Sequence, residues 1–223
     1  MAAIALRHIP ADRPIEVLDV GCGIGALSCR IAEARPGAVV TGVDVSAANI
    51  RAAQTNCPNR TARGVRFVEA DYLTYVTAPV HVIVTDGVLH LIGGDTARLF
   101  HKLANDLVPG GIVVCAMPYD CRTNRVLAAV RRALRAVRSP ATDAAILFAA
   151  RALHGREMTV EHLRERVKYM YMAPTRVIDR RLIAEIAPSV GLRLAADYPM
   201  KRTSVSQLRH KIVVFERIDN PAR

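Results

Sequence analysis

VLDVGCGIGAL, residues 17–27, decides how the rest of the chain is read. An apolar run meets three glycines spaced GxGxG, at Gly21, Gly23 and Gly25, and then turns apolar again. The run at 15–20 predicts a strand and 26–34 a helix. Between them the glycines form a turn with almost no side chain. There the backbone can touch a ligand, and the first N–H groups of the helix add donors and a positive partial charge. Such a turn serves several nucleotide-binding folds, so its neighbours in sequence must narrow the choice.

Working outward, strand-like runs at 39–43, 65–69, 80–85 and 112–117 alternate with helix-like runs at 47–55 and 95–107. Ser46 is placed to cap the first of these helices, and Leu99, Leu103 and Leu107 share one face of the second. Pro109-Gly110-Gly111 reads as a turn before the fifth strand. Strand alternating with helix predicts parallel βαβ units and a sheet covered on both faces. After Pro118 the rhythm changes, and 122–172 reads as helix only. In 123–137, Val126, Val130, Leu134 and Val137 share a face opposite a row of arginines expected in solvent. Ser139-Pro140 opens a second helix to about residue 154. Thr159 caps a third, with Val160, Leu163 and Val167 at helical spacing. Asp179 then caps a helix over 180–187, and strands follow at 192–198 and 211–217. The segment joining these two is too short for a crossover helix, so they are expected to be antiparallel.

Composition bounds the function. The chain has 223 residues, 51% of them apolar, enough for one large domain or a domain with an insertion. No apolar run reaches the length of a bilayer span, and the first residues lack the pattern of a secretory signal, so a cytoplasmic protein with no membrane partner is expected. Cys22, Cys29, Cys57, Cys115 and Cys121 are odd in number and contain no CxxC; buried reduced thiols are expected, with no disulfide framework and no metal site. The net charge of +11 is uneven: residues 1–118 hold 10 basic and 10 acidic side chains, and 119–223 hold 21 and 10. That asymmetry suits an anionic partner or a positive cleft, although an Arg- and Ala-rich composition arises without selection for binding as well.

Three acids follow the predicted strands. Asp44 ends the second in GVDVS, where a carboxylate accepts hydrogen bonds from both hydroxyls of a ribose, as an NAD site also requires. Asp71 follows the third in VEADYL, and Asp86 ends the fourth in IVTDGVLHLI. With VLDVGCGIG before them and LVPGGIVV after, this order resembles the class I S-adenosylmethionine-dependent methyltransferases, over about 15–118 and again over 179–218. The resemblance implies an α/β, Rossmann-like, seven-stranded mostly parallel sheet with a final antiparallel hairpin and a helical insertion after strand 5. It divides the chain into 1–121 as the first part of the cofactor-binding core, 122–176 as a substrate lid, and 177–223 as the last helix and terminal hairpin.

The resemblance also implies S-adenosylmethionine as cofactor. Asp19, Gly21, Cys22, Gly23 and Gly25 would border its methionine part, and Asp44 would hold the ribose. Val45 would pack on the adenine, Asp71 with Tyr72 beside it would meet the adenine amino group, and Asp86 and Gly87 would line the mouth near the sulfonium. Asp19 and Asp86 suit backbone capping equally. On the acceptor side, His90 offers a base with a pKa near working pH, or a hydrogen bond within its loop. Asp120 offers a base, or a cap for the helix after it. Tyr169 and Tyr171, in KYMYMAPTR, put one ring into an apolar wall and the other into the core, so Tyr171 is a catalytic candidate. Tyr119, Arg122, Tyr169, Arg176 and Arg202 are substrate-binding candidates, the arginines because their forks match carboxylate or phosphate.

The function expected is methyl transfer to an oxygen or nitrogen atom of a small, acidic metabolite, as in bacterial specialised metabolism. Two rivals remain. An RNA methyltransferase would use the same charges, but the chain has no Trp, four Phe and six Tyr, and lacks the Asn/Asp-Pro-Pro-Tyr/Phe segment of base N-methylation. A non-catalytic partner of another methyltransferase would keep the same cofactor motifs. Small-molecule methyltransferases usually begin with a few dozen residues of capping helix. Here 14 residues precede the first strand, so closure is left to 122–176, to a start further upstream, or to a partner chain, a homodimer being compatible.

Overall fold

The first strand, β1 (Ile15–Val20), lies inside a seven-stranded sheet, and all but Glu16 of its residues are buried, as a strand between two helical layers must be. The computed structural model describes residues 1–11, 13–59, 64–154, 167, 170–200 and 207–218. Around β1 stand β2 (Ala38–Asp44), β3 (Val65–Glu69), β4 (Val80–Asp86), β5 (Leu107–Pro118), β6 (Leu192–Pro199) and β7 (His210–Arg217). Their order is β3-β2-β1-β4-β5-β7-β6; β7 alone is reversed, antiparallel to β5 and to β6. The helices are α1 (Ala2–His8), α2 (Ala26–Ala34), α3 (Ala47–Asn56), α4 (Thr96–Asn105), α5 (Arg122–Ala136), α6 (Pro140–His154) and a short α7 (Ala187–Ser189). Ala5, Ile9, Ile31 and Ala32, from α1, α2 and the residue after α1, pack on one face of the sheet; Leu99, Phe100 and Leu103 of α4, with Leu182 and Ala187, pack on the other. Strand order steps from β1 to both β2 and β4, so the carboxyl ends of β1, β2 and β4 open a crevice at the switch point.

Several expectations are corrected. Pro109-Gly110-Gly111 is not a turn before β5 but lies inside it: Val80 pairs with Leu107 and Val82 with Ile112, so the extra residues bulge from the ladder. The helix expected at 180–187 is a π-helix at Leu182–Ile186 that runs into α7, with the Asp179 carboxylate accepting from Leu182 N at 2.8 Å. Pro188 has no N–H to offer the Ala184 carbonyl, and Ala187 N reaches back to Leu182 O, five residues earlier. Cys29 and Cys57 are joined in a disulfide, whereas free thiols were the expectation; Cys22, Cys115 and Cys121 are free. The third helix of the insertion falls outside the described residues except Val167, which is helical and buried.

The largest correction concerns α5. Its buried face is Asn124, Ala128 and Arg131, and Val126, Val130 and Val137 are 62%, 45% and 64% exposed. Hydrogen bonding outweighs the apolar stripe here. Asn124 Nδ2 donates to the carbonyls of Tyr119 (2.7 Å) and Arg209 (2.8 Å), and its Oδ1 accepts from Arg209 N (2.7 Å). Arg131 Nη1 donates to Met172 O at 3.1 Å. Asn124 satisfies backbone groups where β5 ends and β7 begins, and Arg131 one in the segment that follows the insertion; buried backbone left unpaired is costly.

Asn124→Ala would strip three backbone groups of their partner at once. It is expected to lower the unfolding free energy by ~2–4 kcal/mol, read from a urea melt, since each buried group left unsatisfied costs about 1–3 kcal/mol and water recovers part.

Candidate functional site

The turn from β1 to α2 is built by backbone conformation. Gly21, Gly23 and Gly25 have φ of +71°, +53° and +80°, a region that side chains resist. A Cβ at Gly21 would sit 2.5 Å from Val88, and one at Gly25 2.7 Å from Phe67, whereas one at Gly23 would meet nothing within 4 Å. The outer glycines therefore let the turn pack closely, and the middle one leaves open space where a ligand can approach. Gly21 N and Cys22 N both donate to Val43 O, at 2.8 and 3.1 Å, which anchors the turn to the end of β2.

Asp44 completes that anchor. Its Oδ2 accepts from Gly23 N at 2.9 Å, and its Oδ1 from Ser46 N at 2.9 Å and Asn49 Nδ2 at 3.2 Å. Ser46 caps α3 as expected, its hydroxyl accepting from Asn49 N. Val45 is 69% exposed, which leaves an aliphatic face beside the carboxylate. Asp71 is exposed, and one of its carboxylate oxygens accepts from Leu73 N at 2.9 Å. Tyr72 departs from its expected place: its ring is buried in the core with Leu18, Val20 and Val80, under the Lys102 ammonium, and does not flank Asp71 on the surface.

Asp19 is wholly buried and accepts from the Ser28 hydroxyl at 2.6 Å. Burial lifts its carboxyl from 3.8 to about 7, against the Ser28 hydrogen bond that lowers it, and the Asp86 and Asp44 carboxylates push it further up. Three acids thus converge where β1, β2 and β4 end, an arrangement that a cation relieves. Cys22 packs its sulfur against Gly42, and burial holds the thiol up at about 12, so it stays protonated. Asp86 is exposed at the end of β4, and Gly87 follows with its N–H on Ala116 O.

His90 is 5% exposed, and its Nδ1 has no hydrogen-bond partner among the described residues. Burial is the main cause that drops its pKa to about 3, with His210, Arg131 and Arg176 adding to it, so the ring is neutral. The segment after the insertion straps this loop down. Thr175 N and Oγ1 donate to His90 O at 2.8 and 2.9 Å, and the buried Arg176 guanidinium reaches the carbonyls of Leu89 and Gly94. Arg176 is thereby spent on backbone carbonyls rather than turned to a substrate. Tyr171 is also corrected: its buried ring lies under the Arg138 guanidinium, 4.7 Å from it, and its hydroxyl faces the Asp143 carboxylate within the α5–α6 junction. Asp120 is gripped by both ends of the Arg125 fork, at 2.7 and 2.5 Å, which holds its carboxyl below the usual range and makes it a poor base. It does not cap α5.

Tyr119 continues β5, pairs with Ile178 across the strap and carries the Lys211 ammonium 5.5 Å above its ring; Arg122 opens α5 fully in solvent. Tyr169 and Arg202 lie outside the described residues. One ring that the motifs do not mark stands here. His210 opens β7 opposite Pro118 and meets His90 edge to face, 5.2 Å between centroids. The signal for it is topological. A strand running against the others begins at the edge where they end, so its first residue belongs to the crevice.

Known proteins place this geometry. Residues 17–111 match the family model described as a methyltransferase domain. Over 125 residues the chain is 34% identical to a trans-aconitate 2-methyltransferase of Azoarcus sp., covering 55% of this chain and 47% of that protein. Over 97 residues it is 38% identical to an uncharacterized methyltransferase of Mycobacterium tuberculosis, covering 43% and 46%. The chain therefore spans about half the length of the curated relatives it matches. Two solved structures share the fold at low identity. A SAM-dependent methyltransferase of Methanosarcina mazei superposes with a TM-score of 0.67 at 14% identity, over 96% of this chain and 97% of that one. The 1,6-didemethyltoxoflavin-N1-methyltransferase of Burkholderia thailandensis, solved with S-adenosylhomocysteine, gives 0.64 at 16%, over 98% and 76%. Strand order, reversed β7 and glycine turn define a class I methyltransferase fold. Residues 17–111 are similar to a methyltransferase domain, and the chain shares the fold of S-adenosylmethionine-dependent methyltransferases.

The buried Asp19 makes stability depend on pH. Its folded pKa of about 7 lies above the unfolded 3.8, so the folded state binds the extra proton and stability falls as pH rises from about 4 to 7, then levels. Asp19→Asn removes that slope. Its melting temperature relative to wild type is expected to climb between pH 4 and pH 8, by an amount linked to at most ~4 kcal/mol.

Proposed function

We propose that the protein transfers the methyl group of S-adenosylmethionine to an oxygen or nitrogen atom of a small, acidic metabolite. The observation that carries this reading is the glycine turn held by Asp44 beside three converging carboxyl groups at the carboxyl ends of β1, β2 and β4. The residues suit the cofactor: the open space at Gly23 admits a chain against bare backbone, exposed Val45 offers a flat contact for a purine, and the acids complement a cation. Asp44 would take the ribose hydroxyls, and the free oxygen of Asp71 would take the adenine amino group. Asp19, Asp86 and the Gly21–Gly25 turn would face the methionine part. When bound, the sulfonium supplies an activated methyl; the chain supplies orientation and excludes water.

Two observations support an acidic acceptor. Several curated relatives are named trans-aconitate 2-methyltransferase, and all of this chain's excess positive charge lies in 119–223, the half that carries the acceptor side. Arg122 and Tyr119 remain the described candidates for contact with the acceptor's body. Exposed Arg132 and Arg135 on α5 would suit RNA as well, which the test must separate.

Purified protein incubated with S-[methyl-³H]adenosylmethionine is expected to label small di- and tricarboxylic acids that also carry a hydroxyl or an amine, and to leave a mixed RNA pool unlabelled. Label in RNA alone, with binding that falls steeply with salt, would contradict the metabolite reading.

A further inference from the structure

Two imidazoles meet at the crevice where the motif residues end, and their hydrogen bonds fix what they offer. His210 Nδ1 lies 2.9 Å from Leu208 O. A carbonyl oxygen only accepts, so Nδ1 carries the hydrogen and the neutral ring keeps its lone pair on Nε2. The ring is half-buried, at the first residue of β7, and pairs across the ladder with Pro118 at the carboxyl end of β5. His90 meets it edge to face at 67° from the loop after β4, and the Thr175 and Arg176 bonds prevent that loop from moving away.

We propose that His210 is a catalytic residue of the methyl site: Nε2 receives the hydrogen of the acceptor atom, which is therefore a hydroxyl or an N–H rather than a carboxylate oxygen. This rests on the methyltransferase reading above. As the acceptor atom forms its bond to the methyl carbon, the carbon–sulfur bond breaks and its electron pair stays on sulfur. His210 Nε2 takes the acceptor's proton and becomes imidazolium, so the positive charge of the sulfonium ends on the ring and atoms and charge balance. The described cations nearby fit this better than carboxylate capture. Arg176 is spent on carbonyls, Arg125 on Asp120, and Arg131 donates to Met172 O. His210 is faced by His90 from the loop, Asp86 from β4, Arg131 from α5 and the Leu208 carbonyl. Burial leads in lowering its pKa, so it is neutral and able to take a proton at neutral pH. His90, more deeply buried, packs edge to face on the ring and is a positioning residue.

The test is ¹⁵N NMR of the histidine side chains on the full chain, alone, with S-adenosylhomocysteine and with S-adenosylmethionine. The His210 signal is identified by its loss in His210→Asn, or in His210→Gln if the first variant does not fold. The expected result is an Nδ1–H tautomer whose pKa is lower with the cationic sulfonium than with the neutral thioether by about half a unit or more, while His8, His81 and His101 do not move. An Nε2–H tautomer, or a His210 titration that is the same with both ligands while the Gly21–Gly25 amides shift, overturns the proposal and leaves the cofactor reading standing. Glycine amides that shift with neither ligand overturn the cofactor reading itself. In the labelling assay, hydroxyl or amine acceptors are expected to lose at least about 100-fold in kcat in His210→Asn, together with the acid limb of the pH profile. Turnover confined to carboxylates, or unchanged in the variant, contradicts the proposal.

Discussion

The hydrogen bond from Gly23 N to Asp44 Oδ2, 2.9 Å long, is the constraint on which the site depends. It joins a turn built on three glycines to a strand end whose carboxylate is its one acceptor side chain. Each half lacks what the other supplies. The turn reaches positive φ at three residues at an entropic cost that only close packing on Val88 and Phe67 and a fixed partner at β2 offset. The carboxylate also holds Ser46 and Asn49 at the start of α3, so one side chain fixes both the turn before α2 and the start of α3 at the mouth of the crevice.

Electrostatics divide the crevice into two unlike halves. Toward the turn, burial lets Asp19 keep its proton to about pH 7, with the Asp86 and Asp44 carboxylates adding to the shift. Toward β5 and β7, the rings of His90 and His210 stay neutral beside arginines whose charge is spent on carbonyls and carboxylates. The first half suits a cation and the second a neutral group, and the switch point of the sheet lies between them. The reversed β7 makes the second half, because it alone brings the beginning of a strand to an edge where every other strand ends.

Much of this is legible in the sequence wherever a residue's role is local. The βα alternation, the Ser46 cap and the glycine turn follow from spacing and backbone preference, and the paired last strands follow from the length of their connection. Asp44 ends β2 and Asp71 follows β3, as their places in the sequence predict. Roles set by distant partners are not legible. Asn124 lies on the buried face of α5 because the backbone at Tyr119 and Arg209 needs three hydrogen bonds, and no helical periodicity reports that, so the Val126–Val130 stripe misleads. Arg176 looks like an anion binder until its loop supplies carbonyls, and Tyr171 looks like a pocket wall until Arg138 and Asp143 enclose it. The Cys29–Cys57 bond joins two helices that sequence spacing does not bring together.

The central claim is that this crevice holds S-adenosylmethionine through Asp44. Isothermal titration calorimetry of S-adenosylhomocysteine into the protein tests it most directly, with NAD as the competing nucleotide. The account predicts one site per chain for S-adenosylhomocysteine and none for NAD. It also predicts a dissociation constant at least ~10-fold weaker in Asp44→Ala, as loss of hydrogen bonds to a charged group requires. Binding of NAD instead, or equal affinity in wild type and variant, would contradict it.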